Sequence, residues 1–171
     1  EQKELSKKAP VHRVLLDMAV EKLPSPLISQ KYRIPNIWQG DLESEGGKSM
    51  LDTNPDGPLQ LMITKIWMDP HAGEVAVGRV YSGSIKHGET VWAIGAAKSE
   101  RVQQVSMMVG GDRIQVPEVS AGNIAALTGV RSAAAGVTIS RDPEATPFEA
   151  IRHYSEPVVT VAVEPKSMKD L

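Results

Sequence analysis

Cysteine is absent from the 171-residue chain. That excludes a disulfide scaffold, thiolate zinc sites, iron–sulfur clusters and thiol catalysis, and it fits a reducing compartment. Aromatic residues make up 4% of the chain, with one phenylalanine. A core must therefore rest on Val, Ile, Leu, Met and Ala, which suits a tight barrel interior better than a wide ligand cavity. No apolar run approaches the ~18 residues that a membrane-spanning helix needs, so no membrane partner is expected. Residues 1–8 are polar and charged, unlike a secretory signal. The chain opens without methionine, as a processed or excised piece would. Neither sign of charge dominates: 19 basic and 21 acidic residues give a net charge of −2. Wholesale wrapping of nucleic acid needs a strongly basic face and is not expected, which leaves a localised basic patch. Glycine and proline number 14 and 12, well below the ~25–30% of low-complexity disorder.

Three kinds of segment follow one another. Residues 11–23 predict an amphipathic helix, with Val11, Val14, Leu15, Met18 and Lys22 on one face at helical spacing. Pro24 and Pro26 forbid its continuation. Thirteen residues are marginal in isolation, so this helix needs a surface to pack on. Across residues 25–57, prolines and glycines recur and the second half turns acidic, which reads as a linker and an irregular approach to the next domain. A short helical turn near residues 44–51 is weakly signalled. From residue 58 to 140 the pattern becomes six or seven short strands divided by glycines, the signature of a small β-barrel or sandwich. After a proline-containing stretch, the β-branched run at 158–163 predicts a last strand with no partner nearby. The resulting division is 1–24, 25–57, 58–147 and 148–171.

Bond-making chemistry is poorly represented. Gly46-Gly47-Lys48-Ser49 superficially resembles a nucleotide phosphate loop, but the required earlier glycine is Leu42 and the surroundings are acidic. His12, His71, His87 and His153 show no metal-ligand spacing. No Gly-x-Ser-x-Gly nucleophile elbow occurs. No catalytic, cofactor-binding or metal-binding residue is assigned, and the chain is read as no enzyme in itself. Between residues 58 and 140, seven cations face six carboxylates. Lys86 and Lys98 fall in consecutive turns and Arg101 opens the following strand. Turns at one end of a barrel can gather into a patch that contacts phosphates without reading sequence. A scattered solvated surface is the plain alternative.

The run Gly73-Glu74-Val75-Ala76-Val77-Gly78-Arg79-Val80-Tyr81-Ser82-Gly83, followed by Ile85-Lys86-His87-Gly88-Glu89-Thr90-Val91, resembles the second domain of the translational GTPases. In these runs Gly73, Gly78, Gly83, Gly88 and, later, Gly122 are the candidate structural glycines of turns and close approaches. Further runs are similar to the archaeal translocase branch of that superfamily: Gln30-Lys31-Tyr32-Arg33-Ile34-Pro35 with Trp38 and Gly40-Asp41; Asp69-Pro70-His71-Ala72-Gly73; Ala121-Gly122-Asn123-Ile124-Ala125-Ala126; Pro147-Phe148-Glu149-Ala150-Ile151-Arg152; and Ser155-Glu156-Pro157-Val158-Val159-Thr160-Val161. The resemblance covers essentially the whole chain.

The resemblance implies a mainly β fold: a small closed barrel of the second-domain type, with an N-terminal helix and a C-terminal orphan strand. It makes residues 11–23 the closing helix of a GTP-binding domain and residues 158–163 the opening strand of a third domain. The implied role is a non-catalytic module of a cytoplasmic elongation factor. It would contact small-subunit ribosomal RNA on the ribosome and couple the GTP-binding domain to distal domains during translocation. GTP and magnesium are implied for the full-length protein and neither for this piece. Arg79, Lys86, Lys98 and Arg101 are the candidate RNA contacts. Two other readings stay open: a barrel that binds aminoacylated tRNA, and a relative acting in ribosome or spliceosome remodelling. The lone strand at 158–163 is also an edge through which copies of the piece could self-associate as an artefact of excision.

Overall fold

The computed structural model describes residues 10–96, 99–110, 112–149, 159, 161 and 162. Three helices precede the strands: α1 (Val11–Lys22), α2 (Pro26–Ile37) and α3 (Glu45–Leu51). The strands are β1 (Gln60–Asp69), β2 (Gly73–Ser82), β3 (Ser84–Lys86), β4 (Thr90–Ala93), β5 (Glu100–Arg101), β6 (Gln104–Val109), β7 (Asp112–Gln115), β8 (Glu118–Ser120), β9 (Ile124–Thr128) and β10 (Thr138–Ser140). The fold is mainly β.

The helix expected at 11–23 forms, with Leu23 as its C-cap, and none of its residues is buried. The stretch expected to be an irregular linker holds two helices instead, which corrects that expectation. Pro26 occupies the first turn of α2, where the missing N–H has no partner to lose, whereas Pro35 lies inside the helix and costs it the bond to the Lys31 carbonyl. The weakly signalled turn near 44–51 is α3, where the Ser44 hydroxyl caps the helix by accepting from the Gly47 N–H at 3.1 Å.

Eight strands form one antiparallel sheet in the order β5-β4-β10-β1-β2-β9-β6-β7, and β3 pairs with β8 in a separate ribbon. The long hairpin β1–β2 is the centre. It runs from Gln60 opposite Ser82 to Asp69 opposite Gly73, with a bulge between Ile63 and Lys65. Gly78 lies beside that bulge, where an added Cβ would stand 2.4 Å from the Met62 carbonyl oxygen. Gly83 ends β2 at a φ of +72°, which lets the chain swing into β3. The sheet curls, and Leu59, Leu61, Ile63, Val80, Val91, Val105, Leu127 and Ile139 fill its concave side, each fully buried.

A second, smaller core joins the helices to the outer side of β2. Ile34, Trp38, Met50, Tyr81 and Phe148 pack together there. Tyr81 and Phe148 meet with ring centroids 4.7 Å apart. Gln30 is 1% exposed, and its amide N–H groups donate to the carbonyls of Met50 and Tyr81. Trp38 forms a β-bridge with Phe148, and its indole N–H donates to the Thr146 carbonyl at 2.9 Å. The orphan strand expected at 158–163 lies largely outside the described residues. Val159, Val161 and Ala162 carry no strand assignment and are exposed.

Candidate nucleic-acid interface

The turn after β3 gathers charge because strands from distant parts of the sequence converge on it. Lys86, the last residue of β3, donates its backbone N–H to Glu89 Oε2 at 3.0 Å. Its ammonium lies 3.6 Å from Glu118 Oε2 on the paired strand β8. The Glu118 carboxyl is held below its usual range, first by a hydrogen bond from the Ser84 side chain, which outweighs the opposing effect of burial, and then by the Lys86 charge. Arg141, just beyond β10, pairs with Glu89 and donates from Nη2 to the Ser84 carbonyl at 2.7 Å. Arg101, on β5 opposite Thr90, donates from Nε to the Gly88 carbonyl at 3.0 Å.

These bonds leave the cations unequal. Lys86 and Arg141 each have a carboxylate partner. Arg101 is exposed and, among the described residues, makes no ion pair. Its guanidinium is fastened by one backbone bond, from Nε to the Gly88 carbonyl. A planar fork of donors beside an ammonium suits contact with phosphate oxygens.

Of the four cations singled out in the sequence, Lys86 and Arg101 come together at this turn. Lys98 lies outside the described residues. Arg79 is elsewhere. It sits in β2 opposite Ile124 of β9, and its guanidinium lies over the Tyr81 ring at 5.6 Å from the centroid, beside α2. Arg141 and Arg33 were not singled out. Arg141 joins the turn only because β10 pairs with β4, a non-local neighbour relation without a local signal.

Gly46-Gly47-Lys48-Ser49 lies within α3 rather than in a loop. Lys48 pairs with Glu43 at 3.2 Å, and the Ser49 hydroxyl is 2.6 Å from that of Ser82. An added Cβ at Gly47 would stand 2.6 Å from backbone atoms of Asp41 and Leu42. This is a packed helical turn, and it does not fit a phosphate loop. Among the described residues no group of three His, Asp or Glu converges as metal ligands, and no helix is long and apolar enough to cross a membrane.

The structure is a curled antiparallel sheet with a long central hairpin and a glycine, Gly78, beside the hairpin's bulge. Residues 73–140, the span from β2 to β10, match the family model described as Elongation factor Tu domain 2. The whole chain is similar to archaeal elongation factor 2. It is 54% identical to that of Picrophilus torridus, 55% to that of Methanosphaerula palustris and 54% to that of Methanocaldococcus jannaschii, each over 99% of this chain. The chain spans about a quarter of the length of these relatives, 23%, 23% and 24% respectively. The likeness read above from short runs therefore extends along 99% of the chain.

Proposed function

We propose that the chain is the barrel module of an archaeal-type translation elongation factor. The similarity to elongation factor 2 along 99% of the chain carries this reading. Residues 1–24 correspond to the end of a GTP-binding domain, 25–57 to the approach, 58–147 to a barrel of the second-domain type and 148–171 to the entry into a third domain. In the assembled factor the curled sheet closes into that barrel. The factor works in the cytosol on the ribosome, hydrolysing GTP with magnesium to move tRNA and mRNA. This module contributes no catalytic group. The helical turn at residues 46–49 does not suit nucleotide, so no step is derived through it.

The module's own work is contact and coupling. Arg101 and Lys86 at the turn after β3, together with Lys98, meet the phosphates of small-subunit ribosomal RNA. Rigid packing of α2 and α3 on the sheet passes displacement between the GTP-binding domain and the distal domains. Arg101 carries the larger share, since Lys86 is partly neutralised by Glu118.

The test is filter binding of the chain to archaeal small ribosomal subunits across a salt series. Arg101→Ala is expected to weaken binding and reduce the slope of log affinity against log salt by about one. Lys86→Ala is expected to do less. An unchanged slope for both variants removes this turn from the interface.

A further inference from the structure

The ribbon of β3 and β8 sets one acid against one base. Lys86 stands opposite Glu118 in register, and Ser84 lies two positions back along β3. Alternation along a strand puts Ser84, Lys86 and Glu118 on one face. The Ser84 side chain hydrogen-bonds the Glu118 carboxylate, and Ser84 is itself 8% exposed. A buried hydroxyl therefore anchors the carboxylate independently of Lys86. The ammonium lies 3.6 Å from Glu118 Oε2, and the two side chains are 58% and 42% exposed. An ion pair this open to solvent is weak, so Lys86 can exchange its partner.

The second carboxylate of the turn is held differently. The Glu89 side chain is 17% exposed, accepts from the Lys86 backbone N–H at 3.0 Å and pairs with Arg141. Arg141 is tied in turn to the Ser84 carbonyl. Several bonds must break together before Glu89 yields its cation, so that pair belongs to the frame of the turn. Lys86 and Glu118 are joined only at the ammonium. A phosphate oxygen offers the ammonium a charge-assisted bond of the same kind, and a strand of phosphates adds contacts that a lone carboxylate lacks.

We infer that Glu118 is an internal competitor for phosphate: it holds the Lys86 ammonium in the free chain and yields it to an arriving RNA backbone, staying behind on Ser84. The inference rests on the reading of this turn as an RNA contact and adds a threshold to it. Arg101 has no carboxylate to shed, whereas Lys86 engages only where the strand displaces one. A stray anion therefore gains less at Lys86 than a continuous backbone does, which is selectivity obtained from a repulsive element.

The test is filter binding of the chain to archaeal small ribosomal subunits over a salt series with Glu118→Gln. Glutamine keeps an acceptor for the Ser84 hydroxyl and removes only the charge. Affinity is expected to rise about threefold, the scale of an exposed ion pair, and the slope of log affinity against log salt to steepen by up to about one. In a Lys86→Ala background the same substitution is expected to change neither. Equal binding by Glu118→Gln and wild type, while Arg101→Ala still weakens it, overturns the competitor and leaves the RNA-contacting turn standing. A gain that persists without Lys86 also overturns it, because the carboxylate then acts on the RNA at a distance. Binding indifferent to Arg101, Lys86 and Glu118 alike overturns the competitor together with the reading beneath it.

Discussion

The Asp69 carboxylate closes the β1–β2 turn. Its Oδ1 accepts from the backbone N–H groups of His71 at 2.8 Å and Ala72 at 3.0 Å, and Oδ2 lies 3.4 Å from the Arg113 guanidinium. These bonds, His71 first, hold its pKa below the usual carboxylate value. A carboxyl that binds its proton less readily when folded contributes stability above its unfolded pKa of about 3.9 and loses it as pH falls through the folded value. Acid unfolding monitored by circular dichroism should therefore be shallower below about pH 4 in Asp69→Asn than in the wild type. Parallel acid limbs would show that the turn does not couple to folding. At this scale the sequence was legible in part. Asp69-Pro70-His71-Ala72-Gly73 announced a turn, and Gly78 announced a close approach, because both needs are local. That Arg79 stacks on Tyr81 while Arg101 grips a turn follows from strand parity and partners, which no single residue reveals.

Among the elements, the helices of residues 25–57 were the least legible. Their prolines argued for irregular chain; Pro26 escapes that argument by opening its helix, and Pro35 is carried by the burial of Ile34 and Trp38 in the small core. What holds α2 is its aromatic contact with the end of the sheet region. Trp38 is 5% exposed, and Phe148 4%. Trp38→Ala should cost about 3–5 kcal/mol of stability in urea unfolding, the usual range for deleting a buried large aromatic. A loss under about 1 kcal/mol would mean that the small core is dispensable. The strands were easier to read, since alternation and glycine punctuation are short-range signals. The strands are nonetheless more numerous than the six or seven expected: the chain breaks at Gly83 between β2 and β3, at Pro117 between β7 and β8, and at Val102, fully buried, between β5 and β6. The order in which strands pair had no local signal at all.

For the molecule as a whole, the distribution of apolar surface is uneven. The sheet and the small core bury their side chains, while α1 leaves Val11, Val14, Leu15, Leu16, Met18 and Val20 more than half exposed. The helix adds nothing to the packing of the chain as described. The pair Leu15→Gln and Leu16→Gln should therefore leave the free energy of unfolding, read from urea titration, within about 0.5 kcal/mol of wild type. A drop of about 2 kcal/mol would show that these leucines are buried on the chain in solution. The Trp38–Phe148 bridge has a different bearing. The chain goes into the sheet region and comes out of it at one clasp, whose members Trp38 and Thr146 are separated by 108 positions. A pull between the flanking segments would load this clasp, and the strands would stand outside the line of force. The eight-stranded sheet, fixed to that clasp through Tyr81 against Phe148 and Gln30, then travels with it as one body without its hydrogen-bonded ladders being stretched.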